Sequence, residues 1–263
     1  MTKTLMVVMG CVGVSLTGAD ASILFGDRLE AAHQALLEDR RSALSSLSDP
    51  FGVPEVARRV AEQSVDSLRA GTPWKRNIVA TVFWVGEQPS ENNPTPNVMS
   101  AWDQNWQASF GGYDHPEDRN GYAPAGFAPR LNPFYVALPY NDIGKDGRHR
   151  PEASEVIPWF WQAYRGDNVS VCKGRWLAIH HGGRVCYAQW EDVGPFETDH
   201  FQYIFGNEPP RPNRNHSAGI DLSPAVRDFL NLRSGTRVEW RFVGEYEVPA
   251  GPWKSWSDAA PAR

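Results

Sequence analysis

The residues of this chain best placed to move a proton lie in Trp190-Glu-Asp-Val-Gly-Pro-Phe196. Asp192 closes an alternating run and stands just before Val193-Gly194-Pro195, where the backbone must turn, so its carboxyl group is predicted to emerge at a strand end. Period-two alternation puts Trp190, Ala188 and Cys186 on the same face. An indole beside a carboxyl group excludes water, disfavours the anion and raises the pKa, as a general acid near neutral pH requires. The alternative is a carboxylate that caps the following turn through backbone N–H groups. Asp221 lies two residues before Ser223. It could stabilise an adjacent helix start through the dipole, or orient Asp192 or a sugar. Glu191 is expected on the opposite face, in solvent. His200 follows Asp192 by eight residues and could lean back to bind substrate or share a proton, or be an ordinary surface histidine. Glu87 and Asp103 lie in or near the loop after the first strand and are further substrate-binding candidates.

Eleven Trp residues raise the expectation of a carbohydrate ligand, because flat indole faces stack on sugar rings as well as filling cores. Trp84, Trp102, Trp106 and Trp190 are the candidate substrate-binding indoles. Trp102 and Trp106 are spaced to share one face of a short helix, where they either pack inward or stack on sugar. No metal-ligand spacing, Ser-His-Asp arrangement or phosphate loop is legible, and no cofactor is implied. The net charge of −5 and the lack of a basic run argue against a nucleic-acid partner.

The elements that must carry these groups read as mainly β. Gly 23 and Pro 21 suit short strands joined by turns. Residues 26–71 form a helical stretch by the spacing of Leu29, Ala32, Leu36 and Leu37. From Asn77 the character changes: Asn77-Ile-Val-Ala-Thr-Val-Phe-Trp-Val is a predicted strand. Residues 88–130 are a long excursion. Further strands are predicted at Phe134–Pro139, Arg175–Ile179, Arg184–Asp192, Arg237–Val243 and near Tyr246, with a tight turn at His180–Gly183. Ser223 as N-cap and Pro224 at the first helical position open a helix that buries Val226, Phe229 and Leu230.

Lys3, the apolar stretch Thr4–Leu16 and Ala19-Asp20-Ala21 read as a secretion signal over residues 1–21. This predicts a periplasmic or secreted protein with no membrane span in its mature form, and Val8-Met9-Gly10-Cys11 offers a lipoprotein alternative. The domain plan is a signal (1–21), a helical segment (22–76), a barrel (77–248) and a tail (249–263). In an oxidising compartment Cys172 and Cys186 are expected to form a disulfide, worth about 3 kcal/mol; two buried free thiols are the alternative. A monomer suffices.

Trp190-Glu-Asp-Val-Gly-Pro-Phe196 together with Ala218-Gly-Ile-Asp-Leu-Ser-Pro-Ala-Val226 resembles the signature of rare lipoprotein A-like double-psi β-barrels. The opening strand Ala80–Trp84, the pair Val136-Ala137 and the strand Gly174–Ile179 agree with it in order. The chain departs from the pattern at Val193, where the family usually has Arg, in a long insertion over 199–217 and in an enlarged loop after the first strand. The resemblance implies a six-stranded double-psi β-barrel with short helices and long loops. Related barrels are the expansins, barrel endoglucanases and the three-Asp domain of lytic transglycosylases. They imply a groove for β-1,4-linked cell-wall polysaccharide, peptidoglycan or cellulose-like. One strong carboxylate favours a lytic transglycosylase; an endo-β-1,4-glucanase and a non-catalytic wall-binding or wall-loosening module are the alternatives.

Overall fold

The computed structural model describes residues 72–256, except 91, 92 and 94. The expected signal, Cys11 and the helical stretch 26–71 lie outside the described residues. Six strands close a barrel: β1 (Lys75–Val82), β4 (Tyr135–Leu138), β5 (Arg175–His181), β6 (Arg184–Val193), β7 (Ala218–Leu222) and β8 (Thr236–Phe242). Their order around the barrel is β1-β7-β4-β6-β5-β8. β1 runs parallel to β7 and β4 parallel to β6, while β4 and β7 meet antiparallel. A small hairpin, β2 (Arg119–Asn120) and β3 (Ala123–Pro124), stands apart on the long excursion.

Burial follows the alternation. Ala80, Val136, Leu138, Leu177, Ile179, Ala188, Trp190, Ile220, Leu222, Val238 and Trp240 fill one core. The outward residues Tyr135 and Ala137 of β4 join Phe83, Val85, Trp106 and Phe110 in a second cluster beneath the excursion. This cluster explains how a segment poor in regular structure stays placed: its aromatic side chains have a sheet face to bury against. A polar clamp reinforces it. The Tyr135 hydroxyl donates to Asp114 Oδ2 at 2.7 Å and accepts from Val85 N–H at 3.0 Å. The Arg119 guanidinium pairs with the fully buried Asp114.

Several local expectations change. β1 starts at Lys75, and no strand forms near Tyr246, where Glu245–Glu247 makes a 3-10 turn closed by a Gly244 N–H bond to Glu247 Oε2 at 2.7 Å. His180 and His181 end β5, and the turn belongs to Gly182-Gly183, with φ of 55° and 78°, as a two-residue primed hairpin loop demands. The helix α5 (Pro224–Leu230) opens as its sequence requires, Ser223 Oγ accepting from Val226 N–H. Its Phe229 is only partly buried. The disulfide does not form: Cys172 and Cys186 are both buried free thiols.

Candidate functional site

Strand register decides where the carboxylates go. On β6 the pairs Val136↔Trp190 and Ala137↔Asp192 leave Glu191 as an extra residue opposite the Val136/Ala137 step. Such a bulge flips the parity of everything beyond it. Trp190 therefore points into the barrel while Asp192 aligns with the outward Ala137, which corrects the expectation that Asp192 and Trp190 share a face. The Trp190 indole meets Asp192 from behind, donating to its backbone carbonyl at 2.8 Å. A second bulge sits on β7: Val79↔Ala218 is followed by Ala80↔Ile220, so Gly219 is extra and Asp221 pairs with both Thr81 and Ala137.

Together these registers put Thr81, Asp221, Ala137 and Asp192 in one transverse row over β1, β7, β4 and β6. Residues paired across a sheet share a face, so both carboxyl groups lie on the outward side of the barrel sheet, where Asp192 is buried, 8% exposed. Their Cα atoms lie two strand spacings apart, about 9–10 Å, with only the methyl of Ala137 between. Gly194 keeps the space open: a Cβ there would come within 3.3 Å of Asp221 Oδ2.

Each carboxyl group is held by one oxygen. Asp192 Oδ1 accepts the N–H groups of Ala101 and Val193, both at 2.8 Å. Asp221 Oδ1 accepts from the Thr81 hydroxyl. No described residue hydrogen-bonds to Oδ2 of either, and neither Oδ2 is a sealed, unpaired atom. One oxygen of each is thus anchored and the other open. Burial pushes Asp192 up to about 7 against the pull of its two amides and of Lys173. Burial likewise raises Asp221 to about 7, opposed by Thr81 and assisted by the charges of Glu87 and Asp192. Burial thus disfavours the anion of both groups into the neutral range.

Two other carboxylates border the row. Glu191 is not solvated as expected: its side chain is 15% exposed, 4.0 Å from Lys173 Nζ, and its pKa rises to about 7, chiefly through burial. Glu87 is buried, its Oε2 accepting from Asn93 and Asn97 at 3.0 and 2.8 Å, and burial raises its pKa. Asp103 serves its own turn, Oδ1 accepting from Asn105 N–H at 2.9 Å. Among the described residues no group of three or more His, Cys, Asp or Glu is arranged to hold a metal ion.

The remaining candidates divide. His200 is 1% exposed and its contacts are with other residues than the row: its Nε2 lies 3.5 Å from Glu208 Oε2, its backbone N–H bonds Pro139 O, and its ring packs on Tyr203. Burial lowers its pKa. Trp190 and Trp106 are fully enclosed, which removes them as sugar platforms. Trp102 and Trp106 do not share a helix, since α1 begins at Trp106 and ends at Phe110. Trp102 packs edge-on to Trp190 at 5.5 Å and donates to Asn141 Oδ1. Trp84 stays partly open, its Nε1 bonded to the Tyr113 hydroxyl at 3.0 Å. The Tyr113 ring lies so close to Gly86, at φ +83°, that a Cβ there would meet it at 2.6 Å.

Three residues at the site were not predicted. Thr81 follows the inward Ala80 in the opening strand, and its place in the Ala-Thr-x-Phe-Trp pattern was the available signal. Lys173 precedes Gly174 and gave none. Phe196 closes the Asp-Val-Gly-Pro-Phe run and carries no further signal in the sequence. It stands at φ +59°, 40% exposed, with the Arg214 guanidinium 5.2 Å from its ring centre. A bulky residue in the left-handed region is uncommon and worth attention as a functional feature. No family model, curated protein or solved structure matches this chain.

Proposed function

We propose that this protein cleaves β-1,4-linked cell-wall glycan, with Asp192 giving and then taking the proton, as in a lytic transglycosylase. The observation that carries the proposal is the row of two half-anchored carboxyl groups on one side of the sheet, both raised by burial to about 7. In the first step Asp192 Oδ2–H protonates the glycosidic oxygen and the C1–O bond breaks. In the second the resulting carboxylate removes the proton of the sugar's C6 hydroxyl as that oxygen bonds to C1. The product is a 1,6-anhydro sugar, and no water is consumed. A pKa near 7 leaves both forms of Asp192 accessible, which a group acting as acid and then base needs. Asp221, tied to Thr81, keeps its own proton more firmly once Asp192 ionises.

Three further readings support this. The crossed parallel pairs β1–β7 and β4–β6, joined by antiparallel β4–β7, favour a double-psi connection. The two motifs that carry the resemblance to rare lipoprotein A-like barrels are the segments that supply Asp192 and Asp221. An export signal over residues 1–21 would deliver the chain to the wall. A second reading is favoured by the presence of two carboxyl groups rather than one: an inverting endo-β-1,4-glucanase, in which one carboxylate activates water and the other protonates the leaving oxygen.

The test is product analysis. Purified sacculi and soluble cellulose derivatives are digested with the parent protein and with Asp192→Asn. Anhydromuropeptides lost in the variant support the first reading; new reducing ends of inverted anomeric form support the second. Glycan binding without any product, unchanged in Asp192→Asn, overturns both in favour of a wall-binding module.

A further inference from the structure

A cavity of about 510 Å³ opens between the β2–β3 hairpin and the C-terminal turn, within the size range of small-ligand sites. None of its lining residues is charged. Its aromatic walls are Tyr122, Phe127 and Trp256, and Asn120 and Ser255 add an amide and a hydroxyl. No described residue hydrogen-bonds to the side chains of Asn120, Tyr122 or Ser255 or to the Trp256 indole N–H, and none of these atoms is sealed. They stand available to a ligand.

Both walls are braced from behind. The hairpin is held by Arg119, which pairs with buried Asp114 and donates to the Tyr122 carbonyl at 2.6 Å, and Phe127 packs on Phe110 at 6.0 Å. On the other side Trp253 is buried, bonds Pro249 O through its indole at 2.9 Å and accepts from Asn132 at its carbonyl at 3.1 Å. A pocket shaped before binding loses little entropy when filled.

We propose that this pocket binds a neutral sugar unit, separately from the carboxylate row. Uncharged lining offers no counter-ion to a charged ligand, while aromatic faces beside unpaired donors and acceptors match the C–H face and hydroxyl edge of a pyranose ring. Tyr135, the residue on which Phe110 packs, lies two positions along β4 from Ala137, so the pocket belongs to the same outer layer as the row. The inference draws on the glycan reading only for its choice of probes.

The test is isothermal titration of the Asp192→Asn protein with cellotetraose and with tri-N-acetylchitotriose. Saturable binding is expected, weakened tenfold or more by Trp256→Ala. Gly126→Trp fills the cavity from a position where a Cβ meets nothing within 4 Å, so it is expected to fold normally and to abolish binding. Binding that survives both changes, preference for a charged oligogalacturonide, selection of a proline-rich peptide instead, or no saccharide binding at all overturns the proposal. Retained pocket binding with no glycan cleavage by the parent protein leaves the pocket standing and sinks the enzymatic reading.

Discussion

At the scale of single residues, Asp192 sets what can be measured. Its pKa is raised in the folded protein from 3.8 to about 7, so on raising the pH the unfolded chain releases this proton first. The contribution to stability is therefore greatest below about pH 4, declines through the interval up to 7, and is flat above it. Asp192→Asn keeps an oxygen for the Ala101 and Val193 amides and removes the buried charge. It should abolish cleavage yet raise stability by about 2 kcal/mol near pH 8 and by almost nothing near pH 4, read from denaturant midpoints at the two pH values. Cleavage by the parent should fall as pH rises through 7, where the acid loses its proton. The charge of Asp192 helps raise the pKa of Asp221, so Asp192→Asn should lower the Asp221 pKa, read by NMR titration of its carboxyl carbon; an unmoved value would show that the two groups are not coupled. Asp192 and Asp221 were legible as candidates because each sits at a strand end beside a turn or cap. Alternation alone assigns Glu191 to solvent, because it carries no trace of the bulge at this residue.

At the scale of elements, two bulges do what the residue pattern does not announce. Strands β1, β4, β5, β6 and β8 could be located from β-branched and aromatic runs, and α5 from Ser223-Pro224. A bulge adds one residue without altering those runs, and a one-residue slip reverses which face a side chain takes. Only the pairing partner reveals it, and the partners of β6 and β7 are remote in sequence. Gly219 shows how tightly the second bulge is packed: a Cβ would lie 2.5 Å from Pro210 Cγ, 2.8 Å from the Tyr203 hydroxyl and 3.0 Å from Ile78 Cγ2. Gly219→Ala should accordingly cost about 2 kcal/mol, seen as a lower denaturant midpoint at unchanged slope. A variant as stable as the parent would mean that the bulge can relax around a methyl group.

At the scale of the whole molecule, stability comes from packing and one buried polar clamp rather than from a covalent cross-link. The expected disulfide rested on compartment and on an even count of two cysteines, neither of which reports distance. With Cys172 and Cys186 buried and burial raising both thiol pKa values, the midpoint of unfolding should be the same with and without reductant, and thiol reagents should label the protein only once it is unfolded. The clamp is the more sensitive point. Asp114→Ala removes the buried carboxylate partner of Arg119 and the acceptor of the Tyr135 hydroxyl proton, a loss of about 3–5 kcal/mol for a broken buried pair. Hydrogen exchange should then quicken across residues 84–114 well before the barrel strands. Nothing in the polar composition of the excursion signalled this anchoring, because Asp114, Arg119 and Tyr135 come together only through tertiary contact.

One of the two amides on Asp192 belongs to Ala101, far along the chain from the strand that bears the carboxyl group. The strength of the acid is therefore co-owned by a surface segment and the frame beneath it. Remodelling that segment alone could retune the working pH of the protein while every strand of the barrel stayed as it is, so lineages sharing this scaffold could diverge in acidity preference by exchanging loops.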